Sequence, residues 1–254
     1  MLDIDRISPT RRPFGAAAGY HVWSDLLFIH WRIPVSLLQP LLPRELTIDT
    51  YDGSAWVGLV PFRMSGVRPW WSPPIWGISS FPETNVRTYV HLNGTAPGVW
   101  FLSLDAAQWL AVQLARLGWG LNYHWAKMNV TRRGSTIEYR SRRVFGGAFC
   151  HATAEIGDPF SEGLVSGQAR IAKPGTVEHF LVERYLLYAV RRGMIFQGQV
   201  HHQPYSLFAT ELRNLNEQLL VANGVEPSQP PCHVIFSPQV NVEVFGLQPV
   251  CHCK

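Results

Sequence analysis

Residues 81–94 read FPETNVRTYVHLNG. Successive side chains on a strand point to opposite faces, so Phe81, Glu83, Asn85, Arg87, Tyr89 and His91 share one face and Thr84, Val86, Thr88 and Val90 the other. The β-branched face reads as packed. The Glu-Asn-Arg-Tyr face is either the solvent side of a sheet or the polar lining of a barrel cavity. Asn93-Gly94 is a strong hairpin signal, and GVWFLSL (98–104) supplies the returning strand. A cavity-lining hairpin of this kind implies a mainly β chain closed on itself.

Working outward, LLFIHWRI (26–33), AWVGLVPFRM (55–64), NYHWAKMNVTR (122–132) and TIEYRSRR (136–143) read as further strands, with others over 148–156, 166–171 and 241–247. PVSLLQPLLP (34–43) reads as a short helical turn closed by prolines. Asp105 is expected to cap a helix over 105–117, where Trp109, Leu110, Leu114 and Leu117 recur at helical spacing and Gly118 stops it. A second helix is expected over 177–192, ending in Arg191-Arg192-Gly193, with a short third near 214–222. Residues 65–80, which carry Trp70, Trp71 and Trp76, read as a loop over the cavity mouth. The expectation is roughly eight to eleven strands in a single antiparallel β-barrel or cone with two or three packed helices, a β-rich α+β class. Residues 1–19 read as an N-terminal arm, 20–248 as one domain and 249–254 as a tail.

Composition fits this reading. Of 254 residues 46% are hydrophobic and only 16% charged, enough apolar material for a large core with few solvated helices. The net charge of +4 is mild. Its densest run, Arg132-Arg133 followed by Arg140, Arg142 and Arg143, sits on a hairpin rather than along a nucleic-acid-binding helix. The apolar window 99–119 is interrupted by Asp105, Gln108, Gln113 and Arg116, which makes it a poor membrane span. Four scattered cysteines do not form a disulfide framework, and a reducing cytoplasm is the simplest compartment. Cys232, His233, Cys251, His252 and Cys253 are of zinc-ligand type, but Cys-x-Cys at a chain end lacks paired-ligand spacing, and no metal is expected.

The chain has three lysines, at 127, 173 and 254, against nineteen arginines. One of them, Lys127, sits in YHWAKMNV (123–130) and shares a strand face with Tyr123, Trp125 and Asn129. It reads either as a residue whose stem packs on Trp125 while its ammonium reaches water or Glu83, or as a desolvated amine able to attack a carbonyl. His201 and His202 in VHHQPYSL point to opposite faces, so they do not readily share a metal, and each reads either as a structural histidine or as a group that reaches the cavity. Glu183-Arg184-Tyr185 reads as packing with a structural ion pair. No nucleophile elbow, P-loop, dinucleotide fingerprint or metalloprotease motif occurs.

HWRIPVSLLQPLLP, FPETNVRTYV, YRSRR, ERYLLYA, VHHQPYSL and VNVEVFGL together resemble the YqjF-like family of uncharacterised bacterial proteins, over about residues 20 to 248. That family is similar in fold to acetoacetate decarboxylase, whose barrel encloses a Schiff-base lysine assisted by glutamate and arginine. The resemblance implies Lys127 as the nucleophile, Glu83 as its acidic partner, and Arg32 or Arg87 as the carboxylate clamp. Asn85, Tyr89, Trp125 and His202 would complete the substrate-binding wall. Ala126 stands where the decarboxylase has a second lysine. Two functions follow: a barrel that binds a small acidic or apolar ligand, or a cofactor-free Schiff-base lyase acting on a small keto acid, in which the iminium is the electron sink. The expected partner is a small molecule, without nucleic acid or membrane, and with homo-oligomerisation left open.

Overall fold

The computed structural model describes residues 4–167 and 169–250, apart from the side chains of Ala115 and Leu117. The chain runs through β1 (Gly19–Ile33), β2 (Leu46–Ile48), β3 (Ala55–Pro69), β4 (Phe81–Leu92) and β5 (Thr95–Ala106). Next come β6 (Tyr123–Arg133), β7 (Thr136–Arg143), β8 (Phe149–Pro159) and a small separate hairpin of β9 (Leu164–Ser166) with β10 (Ala169–Ile171). The last strands are β11 (Leu186–Arg191), β12 (Met194–His201), β13 (Phe208–Glu217) and β14 (His233–Pro249). The helices are α1 (Val35–Leu38), α2 (Trp109–Trp119) and α3 (Val177–Val182).

Five long strands, in the order β14-β1-β3-β4-β5, form a wall whose two faces are both covered. On one side the wall is closed into a ring by β11 and β12, and on the other by β6, β7, β8 and β13. Two large apolar clusters result, beside a small third one of Leu46, Val90, Tyr188 and Ile195. Phe28, Val60, Phe62, Phe180 and Val242 fill the first ring, and Ile29, Leu59, Val86, Ile137 and Ala152 the second. This is why β4 is buried along nearly its whole length: neither of its faces is a solvent face. The expected mainly β, ring-like fold holds, but the ring is doubled and the sheet is mixed. Antiparallel ladders dominate, and β5 makes two short parallel junctions, with β6 through residues 104–106 and with β11 through residues 99–100. A Cβ at Gly98 would stand 2.7 Å from the Leu186 carbonyl oxygen, so glycine permits this close pass of β5 by β11.

Local sequence signals account for some elements and mislead at others. Asn93 and Gly94, with φ of 49° and 79°, make the expected tight turn between β4 and β5. Arg192 and Gly193, with φ of 50° and 75°, do the same between β11 and β12. The expected helix over 177–192 is therefore only α3, and its remainder is the strand β11. Asp105 does not cap a helix. It lies buried in β5 facing Arg143, and α2 is instead capped by the Gln108 side chain and closed by Gly120 in the left-handed region. The helix expected near 214–222 is the end of β13 followed by a single 3-10 turn.

Candidate functional site

The first ring encloses a cavity of about 520 Å³. Its walls are largely apolar: Leu26, Phe28, Val60, Phe62, Phe81, Val99 and Leu187 among others. Into it β4 projects Glu83, Asn85 and Arg87, the alternation seen in the sequence. A β-bulge at Asp25, where φ is 52°, resets β1 so that His21 and Trp23 on one side and Leu26 and Phe28 on the other all line the same space. Tyr123 from β6, Tyr205, and Tyr185 with Arg184 after α3 complete the polar lining.

The polar groups are held at different tensions. The Tyr123 hydroxyl donates to Glu83 Oε2 at 2.9 Å. Burial nevertheless pushes the Glu83 carboxyl up to about 8, helped by the nearby Asp105, so that it is mainly protonated at neutral pH. Arg87 Nη2 and the Tyr89 hydroxyl donate to one acceptor, the Leu181 carbonyl, each at 2.9 Å. With its proton so committed, the Tyr89 oxygen accepts from His30 Nε2 at 2.7 Å, leaving His30 Nδ1 to accept from His233 Nδ1 at 3.0 Å. Burial keeps His30 neutral, as this chain requires. The Arg87 guanidinium also lies over the Phe28 and Tyr89 rings, with its carbon 5.4 and 5.6 Å from their centroids. It is thus fixed in place while its Nε, like Asn85 Oδ1, Trp23 Nε1 and His21 Nδ1, has no hydrogen-bond partner. These unsatisfied polar atoms belong to residues that line one cavity, and mark it as built for a ligand that supplies partners.

The charged lining is unbalanced. Among the described residues it comprises Arg68, Arg87, Arg184 and the single acid Glu83. Arg184 forms an ion pair with Asp49, at 2.9 Å and with both side chains 1% exposed, while its Nη2 has no hydrogen-bond partner. Glu183 is itself buried, accepts from the Tyr185 hydroxyl and the Tyr205 amide, and is pushed up to about 7 by burial.

The expected residues separate into two groups. Glu83, Asn85 and Arg87 converge in the cavity, with Tyr89 buried directly behind them. His202 is buried against Tyr185, with ring centroids 4.4 Å apart, and its Nε2 is unpaired; His201 turns instead to the N-terminal arm at Thr10. Trp125 packs at the edge of the first apolar cluster. Lys127 and Arg32 lie elsewhere. Arg32 is on the outer surface, beside Asp52 and over Trp56. Lys127 is exposed in a shallow groove with Arg140, Arg142 and Phe149. The reason is topological: β6 follows β5 only through residues 123–125 and then departs to pair with β7, so the face that holds Tyr123 at the cavity is a solvent face by Lys127. Lys173 is exposed too, so among the described residues no lysine lines the cavity. Of residues 65–80, read from the sequence as a loop, the first five continue β3; beyond them Ser72, Pro73, Ile75 and Ile78 line the mouth, whereas Trp70, Trp71 and Trp76 face outward. Cys251, His252 and Cys253 of the cysteine-rich tail lie outside the described residues, and among those described no group of three or more metal-ligand side chains assembles.

The profile of the DUF2071 family, described as an uncharacterized conserved protein, matches residues 20–241. The chain belongs to this family. The protein YqjF of Bacillus subtilis (strain 168) is 37% identical over 205 residues, covering 80% of each chain. The DUF2071 fold is shared with solved structures of low identity. Acetoacetate decarboxylase from Legionella pneumophila superposes with a TM-score of 0.63 at 14% identity, covering 96% of this chain and 92% of that one. The enduracididine biosynthesis enzyme MppR, complexed with pyruvate, gives 0.60 at 9% identity, covering 96% and 95%. At these identities the likeness concerns the fold alone.

Proposed function

We propose that this chain binds a small, mainly apolar carboxylic acid inside the first ring, with the carboxylate on Arg87. The observation that carries the reading is the buried, pre-positioned Arg87 guanidinium, whose Nε lacks a partner, flanked by Asn85 and by a Glu83 carboxyl that is protonated at neutral pH and so able to donate. An arginine fork matches a carboxylate geometrically, and the apolar walls suit the remainder of the molecule. Pyruvate in the complexed MppR structure is a small carboxylate held by a protein of the same fold. The alternative, a Schiff-base lyase working through Lys127, needs an amine at the cavity, and Lys127 is on the outside of β6.

Titration calorimetry with butanoate, octanoate and phenylacetate, each against its primary amide, tests the proposal. Acids should bind more tightly than amides. Arg87→Met should weaken the acids by about tenfold to a hundredfold, the range of a lost charge-assisted hydrogen bond. Equal binding of acids and amides, or an Arg87→Met protein that binds acids unchanged, would overturn it.

A further inference from the structure

The cavity mouth carries an unusual surface. Ile75 and Leu114 line the cavity and yet are 55% and 60% exposed, so the opening lies between segment 65–80 and α2. The two segments are tied together at Gln108, the residue that caps α2, whose Nε2 donates to the Gly77 carbonyl. The segments that border this opening carry Trp70, Trp71, Trp76 and Trp109, which stand 68%, 71%, 99% and 51% exposed. Apolar groups gathered in this way on one surface mark a contact site.

Two observations say what kind of partner fits. Segments 65–80 and 107–122 together hold five of the chain's ten tryptophans and no Asp or Glu; their only charged residues are Arg68 and Arg116. An indole combines an apolar body with a polar N–H and concentrates at the boundary between lipid headgroups and acyl chains. Cations without acids add attraction to an anionic leaflet. We infer that this rim docks peripherally on an anionic phospholipid bilayer, so that the cavity opens against the membrane surface. This runs against the sequence expectation of no membrane partner, and no described helix is long and apolar enough to cross a bilayer. The inference stands whichever ligand the cavity takes.

The test is flotation of the full chain with vesicles of phosphatidylcholine alone, and of equal parts phosphatidylcholine and phosphatidylglycerol. The protein should float with the mixed vesicles and much less with the neutral ones. Its tryptophan emission should be quenched when the lipids are brominated. Trp71→Ser/Trp76→Ser, two outward-facing positions, should reduce the bound fraction by about tenfold or more while leaving the circular dichroism and the titration with soluble acids unchanged. Absence of flotation at low salt, or equal flotation of the double variant, would overturn the inference. So would light scattering in which the variant alone drops to a smaller oligomer without any vesicle binding by the parent, since a second copy of the chain would then cover the rim.

Discussion

Replacing Glu83 by glutamine isolates the single acid that lines the cavity among the described residues. Glutamine preserves the shape of the protonated acid, can still accept from Tyr123, and cannot ionise. An unfolded glutamate titrates near 4.5 and the folded Glu83 at about 8. Below the lower value both states are protonated and the group has no pH-dependent effect. Between the two, the folded protein retains a proton that the unfolded chain has released, so stability falls as pH rises, and the loss is complete once pH passes the folded value. At about 1.4 kcal/mol per pH unit the whole interval amounts to roughly 5 kcal/mol, of the order of an entire domain's stability. Urea unfolding of the parent and of Glu83→Gln should therefore give similar stabilities near pH 5, diverge up to about pH 8 and then level off, the variant becoming the more stable. Glu183, pushed in the same direction, is present in both proteins and cancels in the difference. Acid binding should weaken above about pH 8 in the parent, where ionised Glu83 would repel the ligand's carboxylate, and not in the variant. Stability curves that run parallel across this range would refute the assignment of a neutral Glu83.

Further outcomes follow from other parts of the structure. Asp105→Asn leaves the Arg143 guanidinium, now held at 3.0 Å by both Asp105 oxygens and 7% exposed, without its counter-ion, and should cost about 3 to 5 kcal/mol in chemical denaturation. Lys127→Met, on the outer groove, should leave both stability and acid binding within about 0.5 kcal/mol of the parent. Borohydride added with pyruvate or acetoacetate should produce no adduct on Lys127 in mass spectra.

What was readable in the sequence was whatever depended on neighbours along the chain. The alternation of Glu83, Asn85 and Arg87 against Val86 and Thr88 located the cavity face, because a strand's two faces are set by period alone. Asn93-Gly94 located the hairpin because the turn requires left-handed backbone. Lys127 shows the limit. Alternation placed it correctly on the face of Tyr123, but where β6 leaves its partner is a property of the sheet, and a face that is interior at 123 is wet four residues later. Asp105 looked like a helix cap for the same reason: Arg143, thirty-eight residues distant, outcompeted the local amides. Arg192-Gly193 was misread as a helix end since cation-glycine pairs serve both helix stops and tight turns. His21 and Trp23 gave no signal, their orientation depending on the bulge at Asp25. Tyr123 could have been found, lying on the face that drew attention to Lys127.

The shared wall has a consequence for biosynthesis. Both rings close through β14, which pairs with β12 at one end and with β13 at the other while lying along β1 for most of its length. β1 ends at Ile33 and its partner β14 begins at His233, about two hundred residues later, so neither enclosure can form until β14 has been translated. Until then the nascent protein carries the unpaired edge of β1, a template for wrong pairing. The arrival of β14, rather than of any earlier strand, starts the assembly of the cavity.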